Sequence, residues 1–95
     1  MSLSEEALDM LLQLSERGDP PPWISSIEGR DHMSGDNVIL VGNDGDRRED
    51  IYVTRDSGPA SISDLDLIAA ARTYLPVLIA EIRALRHQLG DSWSG

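Results

Sequence analysis

The sequence predicts a small α+β domain: an N-terminal helix, a three-stranded antiparallel meander, and a long C-terminal helix kinked or broken at Pro76. Three observations lead there. Residues 3–17 and 63–89 carry apolar side chains three and four residues apart, the period of a helix with one covered face. Residues 23–55 switch to a period of two, in short runs rich in β-branched and aromatic residues. The chain has 95 residues, of which 40% are apolar, with no Phe and four other aromatics, so one small core built mainly from Leu, Ile and Val is expected.

In the first helix, Leu3, Ala7, Met10 and Leu14 share one face and Leu11 widens it. Ser2 with Glu5 matches a capping box, and Gly18 is placed to end the helix. Residues 18–22 then form a linker, because Pro20, Pro21 and Pro22 fix three φ angles and remove three donors. Three strands follow: WISSIEG (23–29), NVILVG (37–42) and DIYVTR (50–55). The connection NDGDRRED carries an Asn-Asp-Gly turn signal and many charges, as a solvated hairpin loop requires. Val38 and Leu40 fall on one face of the second strand and Ile39 and Val41 on the other, which implies a central strand covered on both sides by helices.

Asp56-Ser57-Gly58-Pro59 ends the strand region, and Ser63 is the expected N-cap of the last helix, with Asp66 completing a capping box. Ile62 and Leu67 stand where a hydrophobic staple would join them. Gly90 marks the expected stop, with residues 91–95 as a tail. Within this helix, Ile68, Ala71, Leu75, Leu78, Ile82, Leu85 and Leu89 form a heptad seam. Pro76 interrupts it and costs about 3 kcal/mol in a helix interior, so the helix either bends there or restarts with Pro76 in its first turn. In the heptad Pro76 takes a b position, facing away from the seam, where a bend would wrap the helix around a partner.

The seam is wider than a three-stranded sheet needs, which predicts a homodimer through the C-terminal helix. Leu78, Ile82, Leu85 and Leu89 are the expected contacts, with Glu81 at a g position and Arg86 at the next e position paired between chains. The net charge of -9, with eight basic residues that are all Arg, disfavours nucleic acid, whose phosphates must be neutralised by cations. A basic protein partner fits such a surface better. No apolar stretch is long enough to span a membrane, and Glu5, Glu6 and Asp9 stand where a secretory signal would carry bases. A cytoplasmic protein is the expectation, and with no Cys there is neither a disulfide framework nor a thiolate metal site.

Catalytic signals are sparse, so a non-enzymatic interaction or regulatory module without a cofactor is the leading expectation. The alternative is a small hydrolase or metal-dependent enzyme. Its weak catalytic candidates are Asp31 and His32, since a carboxylate beside an imidazole can orient it as a base. Adjacent residues in a turn, however, usually point apart. Asp44, Asp46, Glu49 and Asp50 are weak candidates for a hard cation, but they lack the order of an EF-hand loop, and Arg47 and Arg48 would repel the ion.

Residues 64–86, DLDLIAAARTYLPVLIAEIRALR, resemble a segment that ends many short uncharacterised bacterial and phage proteins, of the form D-x-x-F/L-I-A-x-A-R-x-x-x-P-x-L-L-x-E-I/V-x-x-L. Upstream, IEGRDHMSGDNVILVG and GDRREDIYV are similar to one set of those proteins. The resemblance covers about half the chain and implies a family with no assigned activity. It transfers no catalytic residue and implies at most an accessory or host-interaction role.

Overall fold

The structure is a computed structural model, and it describes residues 3–33 and 35–93. Its elements in order are α1 (Glu5–Arg17), β1 (Trp23–Ser26), β2 (Val38–Val41), β3 (Thr54–Arg55), β4 (Gly58–Pro59) and α2 (Ile62–Trp93). The α+β class is as the sequence predicts, whereas several boundaries and the sheet differ.

The cap of α1 is Ser4, whose hydroxyl accepts from the Ala7 N–H at 3.0 Å, and Glu5 and Glu6 in the first turn complement the helix dipole. Ser2 lies outside the described residues. At the other end the Gly18 N–H closes on the Leu14 carbonyl. The face that α1 buries is not the expected one: Leu8 and Ser15 are buried and Leu11 and Leu12 half-buried, while Leu3, Met10 and Leu14 are exposed. The spacing of Leu8, Leu12 and Ser15 is as helical as that of the outward row, and the inner row wins because Ser15 supplies two acceptors to α2.

β1 and β2 pair antiparallel, with Trp23 opposite Val41 and Ser26 opposite Val38. β1 stops at Ser26 because the next residue opens a turn: the Ile27 carbonyl accepts from the N–H groups of Arg30 and Asp31. The expected third strand is reduced to a contact. Ile51 exchanges two 2.9 Å hydrogen bonds with Ile39, and the chain then leaves the sheet. Its second half folds on itself instead, Thr54–Arg55 pairing with Gly58–Pro59, while the Ala60 N–H is taken by the Val53 carbonyl. The tight turn at Asp56–Ser57 thus competes locally with β2 for the same backbone groups. Among the described residues the strands form two small antiparallel pairs, with residues 50–55 joined to β2 by the Ile39–Ile51 bridge and not by a full third strand.

Both faces of β2 are covered as its composition predicts, with Val38, Ile39 and Val41 buried and Leu40 half-buried. The main core joins Ile27, Ile39, Ala60, Leu65 and Ala69, with Trp23, Ile51, Val53 and Ile68 packed at its edge. It lies between the sheet and the first half of α2.

α2 starts earlier than expected. Ser61, not Ser63, is the cap: its hydroxyl accepts from the Asp64 N–H and its carbonyl from the Leu65 N–H. Buried Ala60, tied to Val53, fixes the chain immediately before that point. The helix also runs past Gly90 to Trp93. Glycine permits a left-handed stop but equally adopts helical angles, at a cost of about 1 kcal/mol relative to Ala.

Pro76 neither ends nor restarts the helix, which is continuous through it. The segments on its two sides are anchored to different elements: Leu65 and Ala69 pack on the sheet, while buried Ile79 and the guanidiniums of Arg83 and Arg86 belong to the contact with α1. These anchors offset the lost hydrogen bond. Pro76 is half-buried in a recess with Leu12, Gly18, Pro20 and Pro21, so it faces inward rather than toward the outside of a bend.

Candidate functional site

Two polar joints fix how α2 lies on the rest of the chain. At the first, Arg72 reaches from α2 to the end of α1 and the linker: its guanidinium donates to the Ser15 hydroxyl and carbonyl and, at 2.8 and 3.0 Å, to the Asp19 carbonyl. The same group lies 5.8 Å over the Trp23 ring, and the Trp23 indole N–H donates to that Asp19 carbonyl. The next residue, Thr73, exchanges two 2.9 Å bonds with the Trp23 backbone. An arginine suits this place because its planar fork serves several acceptors while its face stacks on an aromatic ring.

At the second joint, Arg30 grips Asp66 of α2 with two parallel 3.0 Å bonds and also donates to Asp31. The Ser25 hydroxyl donates to Asp66 as well, linking β1 to the pair. These bonds favour the charged carboxylate, Arg30 first and Ser25 second, and they lower Asp66 from 3.8 to about 2. Asp31 is lowered too, by Arg30 and then by the Ile27 N–H that its carboxylate accepts at 2.9 Å. Arg30 is correspondingly raised.

The expected catalytic pair therefore sits in a turn whose carboxylate has other work. Asp31 is held by Arg30 and the Ile27 N–H, while the His32 carbonyl accepts from the Gly29 N–H at 2.7 Å. A groove of about 380 Å³ lined by Glu28, Asp36, Asn37, Tyr52 and Thr54 does not include Asp31 or His32. In the loop after β2, Asp44 is taken by Arg47 at 2.8 Å, and Asp46, Glu49 and Asp50 are exposed. Among the described residues no three carboxylate, imidazole or thiol groups converge as a metal would need. What shapes this loop is Gly42: its φ is +90° and a Cβ would stand 2.2 Å from the Asp46 carbonyl oxygen.

The largest unexplained feature is the outward face of α2. Leu67, Tyr74, Leu78, Leu85 and Leu89 are all more than half exposed, at 66, 59, 53, 58 and 58%. Spaced seven, four, seven and four residues apart, they make one stripe, displaced by part of a turn from the heptad seam of the sequence. Of that seam, Ile68, Leu75 and Ile82 turn partly inward, while Ala71, Leu78, Leu85 and Leu89 remain outside. Glu81 is exposed. Arg86, expected to pair with Glu81 of another chain, is engaged within its own: it donates to Glu5 at 3.2 Å and to the Leu3 carbonyl at 2.6 Å. Arg83 alongside bonds Asp9 and approaches Glu5 at 3.6 Å.

Sequence reasoning found the apolar residues of α2 but missed both joints. For Arg72 a signal existed, since an arginine between Ile68 and Leu75, the part of the seam that turns inward, has to reach a partner. For Arg30 and Asp66 there was none, because 36 residues separate them. No protein-family profile, curated protein or solved structure matches this chain. No described helix is long and apolar enough to cross a membrane.

Proposed function

We propose that the protein is a non-enzymatic acidic interaction module that self-associates through α2, as a homodimer, and presents its remaining surface to a basic protein partner. The observation that carries this reading is the exposed apolar stripe of α2. Contiguous apolar surface of this kind marks interaction sites in folded proteins.

The dimensions of the molecule support it. Its accessible surface of 6998 Å² compares with roughly 5,400 Å² for a folded monomer of 10.4 kDa. Its radius of gyration, 17.1 Å, compares with roughly 12 Å for a lone domain of this length. Such an elongated chain with a small core gains by covering one side with a second copy. The net charge of -9 favours a basic surface as the further partner. The accessory or host-interaction role implied by the resemblance of residues 64–86 belongs to the same reading.

The test places a charge in the stripe. Leu85→Glu is expected to keep the helical circular dichroism, because the side chain is already exposed, and to lower the mass measured by light scattering from dimer to monomer. An unchanged dimer would remove α2 from the contact.

A further inference from the structure

α1 carries a second exposed apolar row that the packing of the chain leaves uncovered. Met10 and Leu14 are 54 and 55% exposed, although their spacing is that of a face made to be buried. Its position relative to α2 follows from the ion pairs.

The two helices run antiparallel, since Arg86 meets Glu5 at one end and Arg72 meets Ser15 at the other. Glu5 and Asp9 lie on one flank of the buried α1 row, and Arg83, which binds them, lies on one flank of the buried α2 row. On an antiparallel helix pair the flanks that share contacts lie on one side of the seam, so the other two flanks both lie on the opposite side. Those flanks carry Met10 and Leu14 on α1, and Leu78, Leu85 and Leu89 on α2, while Leu3 precedes the cap Ser4 and lies outside the helix. Half-buried Leu11 and Ile82 stand between the two rows, with Arg86 reaching the Leu3 carbonyl at one end and exposed Glu81 beside the α2 row.

We infer that the second copy packs across both helices, so that Met10 and Leu14 belong to the same self-complementary interface as Leu78, Leu85 and Leu89. This deepens the self-association proposed above and rests on it. The area argues for the shared surface. The exposed parts of the α2 stripe give roughly 550 Å² per copy, about 1,100 Å² for a dimer and near the lower bound for a stable interface. Adding Met10 and Leu14 brings the total to roughly 1,500 Å², within the standard size. A two-fold arrangement of two helical hairpins is a four-helix bundle, whose interior takes leucine and methionine rows of this kind.

The test is the double variant Met10→Glu/Leu14→Glu, examined by light scattering and circular dichroism beside Leu85→Glu and the unmodified chain. The shared interface predicts that the α1 variant raises the dimer dissociation constant at least about tenfold with its helicity intact. A dimer unaffected by the α1 variant but lost in Leu85→Glu overturns the inference and leaves self-association through α2 standing. A monomeric unmodified chain overturns both. Should the double variant fail to fold, a dimer of mixed isotope labelling decides without substitution: nuclear Overhauser contacts from the Met10 methyl to the other copy support the shared interface, and their absence contradicts it.

Discussion

Arg72 ties three parts of this chain together. It joins α2 to the end of α1, to the linker and to the ring of Trp23, and it satisfies the buried Ser15 hydroxyl. Removing it leaves acceptors without their charged donor, a loss of about 2–3 kcal/mol. Arg72→Ala should therefore lower the melting temperature on the order of 10 °C. Arg72→Lys should recover little, because an ammonium serves the carbonyls one at a time and stacks poorly. Thermal melts of both variants test this; full recovery by lysine would mean that charge alone matters. Asp66 gives a pH-dependent counterpart. Its folded value lies near 2, below the ordinary 3.8, so its contribution is complete above about pH 4 and is lost as pH falls toward 2. Asp66→Asn should lower the melting temperature at pH 7 and flatten its fall between about pH 4 and pH 2. An unchanged acid slope in that variant would show that Asp66 does not couple folding to protons.

The elements differ in how far they could be read from local chemistry. β2 was legible because Val38, Ile39, Leu40 and Val41 are apolar on both faces, and a strand with that pattern has to be covered on both sides whatever surrounds it. The fate of residues 50–55 was not legible, since their alternation suits either a third strand or half of the small hairpin that forms. The choice depended on the turn at Asp56–Ser57, not on the strand residues. For α1 and α2 the helices were legible and the buried faces were not. Both carry apolar residues on two adjoining rows, and the winning row is set by polar partners distant in sequence, Ser15 for Arg72 and Glu5 for Arg86. The candidate surface was accordingly half legible: Leu78, Leu85 and Leu89 lie on it, while Ile82 turns partly inward and Arg86 is held by α1. Pro76 supplies the test at this scale. With the helix continuous and anchored on both sides, Pro76→Ala restores a backbone hydrogen bond and should stabilise the fold by about 1–3 kcal/mol in chemical denaturation. A loss of stability would mean that the proline ring is needed in its recess beside Leu12 and Pro20. Gly42→Ala should do the opposite, costing about 2 kcal/mol or more, because its positive φ and the Asp46 carbonyl leave no room for a Cβ.

For the whole molecule, the main physical fact is a surplus of surface. The core holds few large side chains, α2 extends the chain to a longest dimension of 59 Å, and the apolar rows of both helices face outward on one side. Burying that side against an identical copy removes apolar area from water at about 25 cal/mol per Å², the largest gain available to a chain with so little core. In the proposed dimer, the acidic surface left over would repel further copies, favouring a closed dimer over larger aggregates. Higher salt should leave such an apolar contact intact while weakening any basic partner bound to the acidic side, and titrating salt in both assays separates the two interactions. The most direct test of self-association is the mass of the unmodified chain by light scattering at high micromolar concentration. A mass twice the 10.4 kDa of one chain is the predicted result, and a mass of 10.4 kDa throughout the concentration range would contradict it.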